Sequence, residues 1–205
     1  MKKLLKYILY TFATIYAFLA LKSCLGLFYY KMTHLSKEDL RWTHALVGKP
    51  SVKFISDSGN ISKLSLVSVS DNDKYNPIYI SSNGSKYFEA NSWYQFEITD
   101  SIRTLNGSLG IARLVDVDSL CAQYRLGAMF SKGHSYQIMQ LSNFDLHGKI
   151  IDNCLIIDST LVRASKHWKN RPEQMVEKFV ISKDYGPIYY KLPSGEEFYR
   201  VMEIK

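Results

Sequence analysis

The sequence lacks the short motifs that identify most enzymes. Its 205 residues contain no glycine-rich phosphate loop, no nucleophile, histidine and acid in a recognisable series, and no cluster of metal ligands. The five histidines are scattered, with no pair at positions i and i+4 and no cysteine or carboxylate at the spacing of a structural zinc site. We therefore expect no metal and no other cofactor, and the sequence assigns no reaction.

Cysteine is also scarce. Cys121 and Cys154 fall on predicted strands, where we favour buried free thiols, because cysteine is among the residues most often buried. A disulfide between Cys121 and Cys154 is the alternative, since a compartment outside the cytoplasm can be oxidising. A third interpretation makes Cys154 a nucleophile, with His167 as its base and Asp158 orienting His167; it requires a basic, partly exposed thiol.

Acidic residues are absent from the first 31 positions, which hold five of the 26 basic residues. The formal net charge of +7 therefore belongs mostly to this segment, and the rest of the chain is close to balance. A nearly balanced domain gives little support to nucleic-acid binding, so we expect no nucleic-acid partner.

The same segment is almost wholly apolar between residues 4 and 30. Residues 7–21 are uncharged and would extend about 22 Å as a helix, short of a bilayer core of about 30 Å. A helix continued to Tyr30 would reach about 36 Å and cross with some tilt, with Lys22 extended towards the headgroups. The pattern predicts a transmembrane helix and contact with a membrane through residues 4–30.

Residues 1–31 also allow other forms of export. Leu21, Lys22, Ser23 and Cys24 resemble a bacterial lipobox, which makes Cys24 a candidate lipidation site, although Lys22 departs from that pattern. We favour an uncleaved signal anchor over a lipoprotein signal, and either over ordinary secretion. All three place residues 32–205 outside the cytoplasm, in the periplasm or another extracytoplasmic space. No internal repeat or low-complexity linker divides these residues, so we expect a single domain.

A short amphipathic helix is predicted at the start of this domain. Ser36 can cap it, and Asp39 stands where a capping box has its acid. Gly48 and Pro50 end the helix. Leu40, His44 and Val47 fall on one face of this helix, which we expect to pack on the domain near the membrane.

From residue 51 onwards short strands alternate with turns, without helices between them. The strongest two-residue turn signal is Asn106-Gly107. Strands are predicted at 51–56, 61–70, 78–81, 93–99, 109–117, 120–126, 136–141, 150–157, 175–182, 188–191 and 197–204. This series favours a mainly β fold, with an antiparallel sheet curved into a half-barrel or sandwich. A concave face must then be filled, either by its own side chains and the short helix or by a ligand.

Several segments resemble parts of known proteins: 35–42, 57–60, 153–158 and 177–190. They are similar to segments of small, uncharacterised, membrane-anchored envelope proteins of Bacteroidetes-type bacteria. The resemblance implies a place in the cell envelope and brings no activity and no functional residue with it. The closing hairpins also resemble those of lipoprotein-carrier-like half-barrels, in which a curved sheet holds an acyl chain.

One long polar stretch, residues 159–174, is predicted as a loop. Arg163 and Lys166 flank Trp168 there, so the loop is a candidate contact for lipid headgroups or another polyanion, with a plain solvated loop as the alternative. The sequence thus predicts a membrane-tethered, non-catalytic binding or scaffold module for a lipid or an envelope protein. The alternative is a tethered cysteine-dependent hydrolase using Cys154 and His167.

Overall fold

A computed structural model describes residues 2–28, 31–49, 51–73, 87–131, 135–158 and 175–202. This part of the chain is mainly β, with two helices, as the sequence predicts. The elements, in chain order, are α1 Lys2–Phe28, β1 Lys31–Met32, α2 Lys37–His44, β2 Val52–Ser56, β3 Ile61–Asn72, β4 Tyr87–Phe88, β5 Asn91–Thr99, β6 Thr104–Arg113, β7 Leu120–Leu126, β8 Met129–Phe130, β9 Gln137–Ile138, β10 Leu141–Leu146, β11 Lys149–Asp158, β12 Lys178–Ser182, β13 Gly186–Lys191 and β14 Glu197–Arg200.

Helix α1 covers the segment predicted to contact a membrane. Its 27 residues extend about 40 Å at 1.5 Å per residue. Every residue from 6 to 20, the part of α1 whose side chains are described, is exposed. Among the residues that the structure describes, no helix combines the length and the apolar character needed to cross a membrane.

Helix α2 begins where the sequence predicts. The Ser36 hydroxyl accepts a hydrogen bond from the Asp39 backbone N–H at 3.0 Å, and the Asp39 carboxylate accepts one from the Ser36 backbone N–H at 2.9 Å. These reciprocal bonds form the predicted capping box, which satisfies two backbone donors at the start of the helix.

Of the predicted face of α2, only Leu40 packs against the interior cluster. Val47 is 50 % exposed, and Leu40 and His44 are only partly buried. Trp42 is the largest side chain of the helix and is 2 % exposed, so it determines which side faces the sheet. The buried residues recur at helical spacing around it: Asp39, Trp42, Thr43 and, just past the helix, Leu46.

Twelve strands form one sheet, and the pairings in it are antiparallel. The strand order is β10-β11-β12-β13-β14-β2-β3-β5-β6-β7-β8, and β9 also pairs with β7. Strands β1 and β4 form a separate parallel pair. The predicted antiparallel sheet is therefore confirmed.

The sheet curls into a half-barrel. The rings of Phe96 on β5 and Phe179 on β12 lie 5.9 Å apart, although four strands stand between them in the strand order. Only residues 139 and 140 separate β9, which pairs with β7, from β10, which pairs with β11. Two residues bridge little more than about 10 Å, so the two ends of the strand order lie side by side.

Helix α2 lies at one end of the half-barrel, where it contacts β5, β6 and β13. Trp42 and Leu46 join the interior cluster from this end. The interior is otherwise filled by alternate residues of the strands, among them Phe54, Leu64, Tyr94, Phe96, Ile98, Leu109, Ile157, Phe179, Ile181, Tyr190 and Phe198. A second, smaller cluster lies on β10 to β14 and includes Leu146, Ile151, Cys154, Val180, Ile188 and Tyr189.

Several predicted strand limits need correction. Asn106 and Gly107 do not form a turn, because both lie inside β6. The turn lies at residues 100–103, between β5 and β6, where the Asp100 carboxylate accepts hydrogen bonds from the backbone N–H groups of Ile102 and Arg103 at 2.7 and 2.8 Å. The predicted strand 136–141 is two strands, β9 and β10, because the chain crosses there from one end of the strand order to the other. The predicted strand 78–81 lies outside the described residues.

Candidate functional site

The interior of the half-barrel is closed by its own side chains. Tyr94, Phe96, Phe179, Tyr190 and Phe198 are each 1 % exposed. Tyr190 and Phe198 stack with ring centroids 4.6 Å apart. Of the two ways to fill the concave face, the described residues show the first: aromatic side chains of the strands together with α2.

A polar network joins α2 to the sheet. The Thr43 hydroxyl lies 2.6 Å from the Ser92 hydroxyl, which donates to Asp71 Oδ1 at 2.5 Å. His44 Nε2 lies 3.2 Å from Asp71 Oδ2, and His44 Nδ1 lies 3.0 Å from the Leu40 carbonyl. The carboxylate of Asp71 therefore stands between a hydroxyl and an imidazole.

This arrangement does not suit nucleophilic catalysis. In a catalytic triad the imidazole stands between hydroxyl and carboxylate, so that it can accept the hydroxyl proton. Here the Ser92 hydroxyl donates its hydrogen bond directly to the Asp71 carboxylate, and the Ser92 side chain is completely buried. Within the described part of the chain, no group of three or more His, Cys, Asp or Glu side chains is placed to hold a metal ion. The network fastens α2 to β3 and β5.

A second link between α2 and the sheet is an ion pair. Arg113 Nη2 on β6 donates to Asp39 Oδ1 at 2.8 Å, and Arg113 Nε donates to Asp39 Oδ2 at 3.2 Å. Burial alone would raise the pKa of Asp39, but the hydrogen bonds from Arg113 and Ser36 outweigh it and hold that pKa below its usual value. The carboxylate is therefore ionised at neutral pH.

Cys154 has the surroundings of a structural thiol. It is completely buried on β11, and its Sγ donates to the Ile151 carbonyl at 3.3 Å. Burial and the nearby Asp152 raise the pKa of the Cys154 thiol to about 11. A protonated, inaccessible thiol is a poor nucleophile, so this geometry weighs against the hydrolase alternative. Its proposed base, His167, lies outside the described residues.

Cys121 is also free and buried, on β7. Burial, together with the charge of Glu89, raises its pKa. The alternative of a disulfide between Cys121 and Cys154 is not what the structure shows, because both thiols are free. In the register, Cys121 faces Ile138 of β9, and Cys154 faces Ser142 of β10. The interpretation that we favour from the sequence, buried free thiols, is the one observed.

The other predicted site residues lie beyond what is described. Arg163, Lys166 and Trp168 belong to residues 159–174, which fall outside the described ranges. Cys24 lies on α1, in the part of the helix whose side chains are not described.

The outer face of the sheet carries a polar hollow of about 250 Å³. Val67 stands at a bulge in β3 and forms one wall, and Arg125 on β7 forms the opposite wall. Phe96 and Gly107, which are partners in the register, also line it. The remaining outward groups are polar: Gln95, Glu97, Asn106 and Ser108. An open hollow of this kind can take part in surface recognition, but it does not enclose a substrate.

Helix α1 presents the largest apolar surface among the described residues. Nine large side chains on it are between 46 and 77 % exposed: Tyr7, Ile8, Leu9, Tyr10, Phe12, Ile15, Tyr16, Phe18 and Leu19. Monomeric soluble proteins rarely expose so much contiguous apolar surface. Comparison with protein families, curated proteins and solved structures finds no match to this chain.

Proposed function

We propose that the chain is an envelope protein held at a membrane through residues 4–30, whose domain, residues 32–205, binds or scaffolds a partner without catalysing a reaction. The partner is a lipid or another envelope protein. The observation that carries this proposal is the contrast between α1, with its nine exposed apolar side chains, and a domain whose largest aromatic side chains are packed inside. Removing each such side chain from water gains about 1.5–3 kcal/mol, so α1 strongly favours an apolar environment.

The closed interior directs the binding function to the outer surface. Among the described residues, the aromatic side chains leave no room for an acyl chain within the half-barrel, and the outer face offers polar groups around an open hollow. The two buried thiols and the Ser92 network supply no accessible nucleophile. These features favour a scaffold or a module that binds its partner on the outer surface.

Two routes of attachment fit the segment. In the first, α1 remains uncleaved and inserts its exposed apolar side chains into the bilayer. In the second, the chain is cut before Cys24, which then carries a lipid. Replacement of Cys24 by Ala separates the two routes. For an uncleaved anchor, membrane fractionation and the mass of the protein stay unchanged. For a lipoprotein, the variant carries no lipid and keeps the larger mass of the uncleaved precursor.

Fractionation of the full chain from its own cells tests the tether. We expect wild-type protein in the membrane fraction and removal by detergent, not by high salt. Ile15→Lys with Leu19→Lys should shift it to the soluble fraction, because two charges interrupt the apolar surface. The matched control is Ile102→Lys, which changes an isolated side chain that is 82 % exposed on the domain. Wild-type protein that stays soluble at native expression would overturn the proposal.

A further inference from the structure

Two lysines face each other on the outer side of the sheet. Lys53 on β2 and Lys63 on β3 are direct partners in the register, and both are exposed. Opposed residues in an antiparallel pair have β-carbons about 5 Å apart, and like charges at this position reduce stability. Neither ammonium group has a carboxylate partner among the described residues.

Their surroundings do not neutralise them. Along the same row of the outer face, Thr99 stands beyond Lys63, and Val201 stands beside Lys53, to whose carbonyl its N–H donates at 2.9 Å. Within the described ranges, the nearest acid by register is Glu97, which pairs with Ser65 and is therefore one diagonal step from Lys63. A single exposed carboxylate at that distance leaves the lysine pair with an excess of positive charge.

Exposed apolar side chains surround the lysines. On the neighbouring row, Ile55 and Ile61 face each other and are 38 % and 54 % exposed. Val201 is 43 % exposed. Polar residues are the usual choice for the solvent face of an antiparallel sheet, so three branched apolar side chains around two unpaired lysines need another explanation. We call this group, Lys53, Ile55, Ile61, Lys63 and Val201, the lysine patch.

We propose that the lysine patch docks on an anionic lipid surface. A phosphate headgroup bridging Lys53 and Lys63 removes their mutual repulsion, and the apolar side chains enter the boundary between headgroups and acyl chains. A soluble anion explains the two lysines but not the exposed Ile55 and Ile61, which is why we assign the patch to a membrane. The inference rests on the proposed function in one respect: residues 4–30 keep the domain close enough to a bilayer for a weak surface contact to form.

Lysine footprinting of the full chain tests this docking. The chain is reconstituted into vesicles of phosphatidylcholine alone, or with about a third phosphatidylglycerol, and treated with an uncharged amine-acylating reagent before mass spectrometry. Each lysine near an anionic surface contributes a factor of about five to binding. We expect Lys53 and Lys63 to be acylated at least about fivefold more slowly in the anionic vesicles. Lys37, exposed at the start of α2, is the internal control and should react equally in both.

Single substitutions use one lysine to report on the other. In Lys53→Gln the protection of Lys63 should fall about fivefold, and in Lys63→Gln the protection of Lys53 should fall likewise. Lys37→Gln should change neither. Thermal unfolding shows whether each variant is folded, and loss of one of two repelling charges should not reduce stability.

Three outcomes would overturn the inference. The first is equal acylation of Lys53 and Lys63 in both kinds of vesicle. The second is slower reaction of Lys37 as well, which would show general screening by the membrane. The third is equal protection by soluble glycerophosphate with neutral vesicles, which would show an anion site and no membrane docking. Flotation of the same vesicles measures whether residues 4–30 attach the chain to the membrane. A failure of the proposed tether can therefore be distinguished from a failure of the lysine patch to dock.

Discussion

The indole ring of Trp93 on β5 occupies the space where a side chain of Gly110 on β6 would begin. The two residues are direct partners in the register, and a β-carbon added to Gly110 would stand 2.4 Å from the ring. Tyr136 packs against the same indole with ring centroids 5.8 Å apart. The same relation recurs on the inner face, where a β-carbon on Gly107 would stand 2.2 Å from the ring of Phe96.

Gly107→Ala and Gly110→Ala should both destabilise the protein, because contacts this short force the aromatic ring or the backbone to move. We expect a loss of about 1–3 kcal/mol for Gly107→Ala, whose Phe96 is enclosed in the interior, and a smaller loss for Gly110→Ala, because Trp93 is partly exposed and can move outward. Denaturant unfolding measures both. Ser108→Ala, between them on the same strand, is the control, and a wild-type midpoint for Gly107→Ala would contradict the packing.

These glycines explain why the turn prediction at Asn106-Gly107 is wrong. Asn-Gly favours a tight hairpin turn in isolation, but here Gly107 is needed inside a strand so that Phe96 can lie over it. The capping box of α2 is predictable because it depends on residues three positions apart. The buried face of α2 and the break between β9 and β10 depend on contacts with distant strands, which local patterns do not contain.

Gly186 occupies a second kind of constrained position. Its φ is +74°, and an added β-carbon would stand 3.2 Å from Leu46 Cγ, beside α2. Gly186→Val should lower the melting temperature by several degrees, which corresponds to about 1–3 kcal/mol of strain, since a branched residue resists positive φ. Gly195→Ala is a matched comparison for Gly186→Ala, because Gly195 has φ +89° and open space around it. Equal losses for these two alanines would show that Leu46 contributes nothing.

The Asp39–Arg113 pair gives a pH dependence with a definite sign. The pKa of Asp39 is lower in the folded state, so its contribution to stability is complete above the unfolded pKa of about 3.9 and is lost as pH falls through the folded value. Asp39→Asn should cost about 1–3 kcal/mol at pH 7 and should reduce the further loss of stability on acidification below about pH 4. Urea unfolding between pH 3 and pH 7 measures both effects. The exposed Asp116→Asn is the control, and an unchanged acid dependence in Asp39→Asn would contradict the assignment.

The two buried thiols should react only when the fold opens. With Cys24 replaced by Ser, alkylation of Cys154 and Cys121 at pH 7.5 should proceed at the rate of unfolding, because both thiols are buried and their raised pKa values leave little thiolate. Ser70→Cys, on an exposed position of β3, provides a freely reactive control thiol in the same protein. Rapid, stoichiometric alkylation of Cys154 in native protein would restore the hydrolase alternative.

The lysine patch shows a limit of sequence reasoning about sites. Lys53 and Lys63 are ten positions apart, and only the register of the β2–β3 hairpin places them opposite each other. The short gap between the predicted strands 51–56 and 61–70 is the signal that could have found them, since a hairpin turn there fixes which residues of the two strands face each other. The basic loop with Arg163 and Lys166 is conspicuous in the sequence because its charges are adjacent in the chain.

Lys53→Glu should separate stability from docking. An acid opposite Lys63 replaces a repelling pair by an attracting one, which is worth about 0.2–1 kcal/mol in a cross-strand position, so the variant should unfold at a slightly higher temperature than wild type. On anionic vesicles the same variant should lose the protection of Lys63, because the patch loses one positive charge and gains a negative one. A residue retained only for the fold would show the opposite, with a lower melting temperature and unchanged protection. Calorimetry and footprinting of the same preparation distinguish the two, since a lysine kept at a cost to stability is best explained by a partner that needs it.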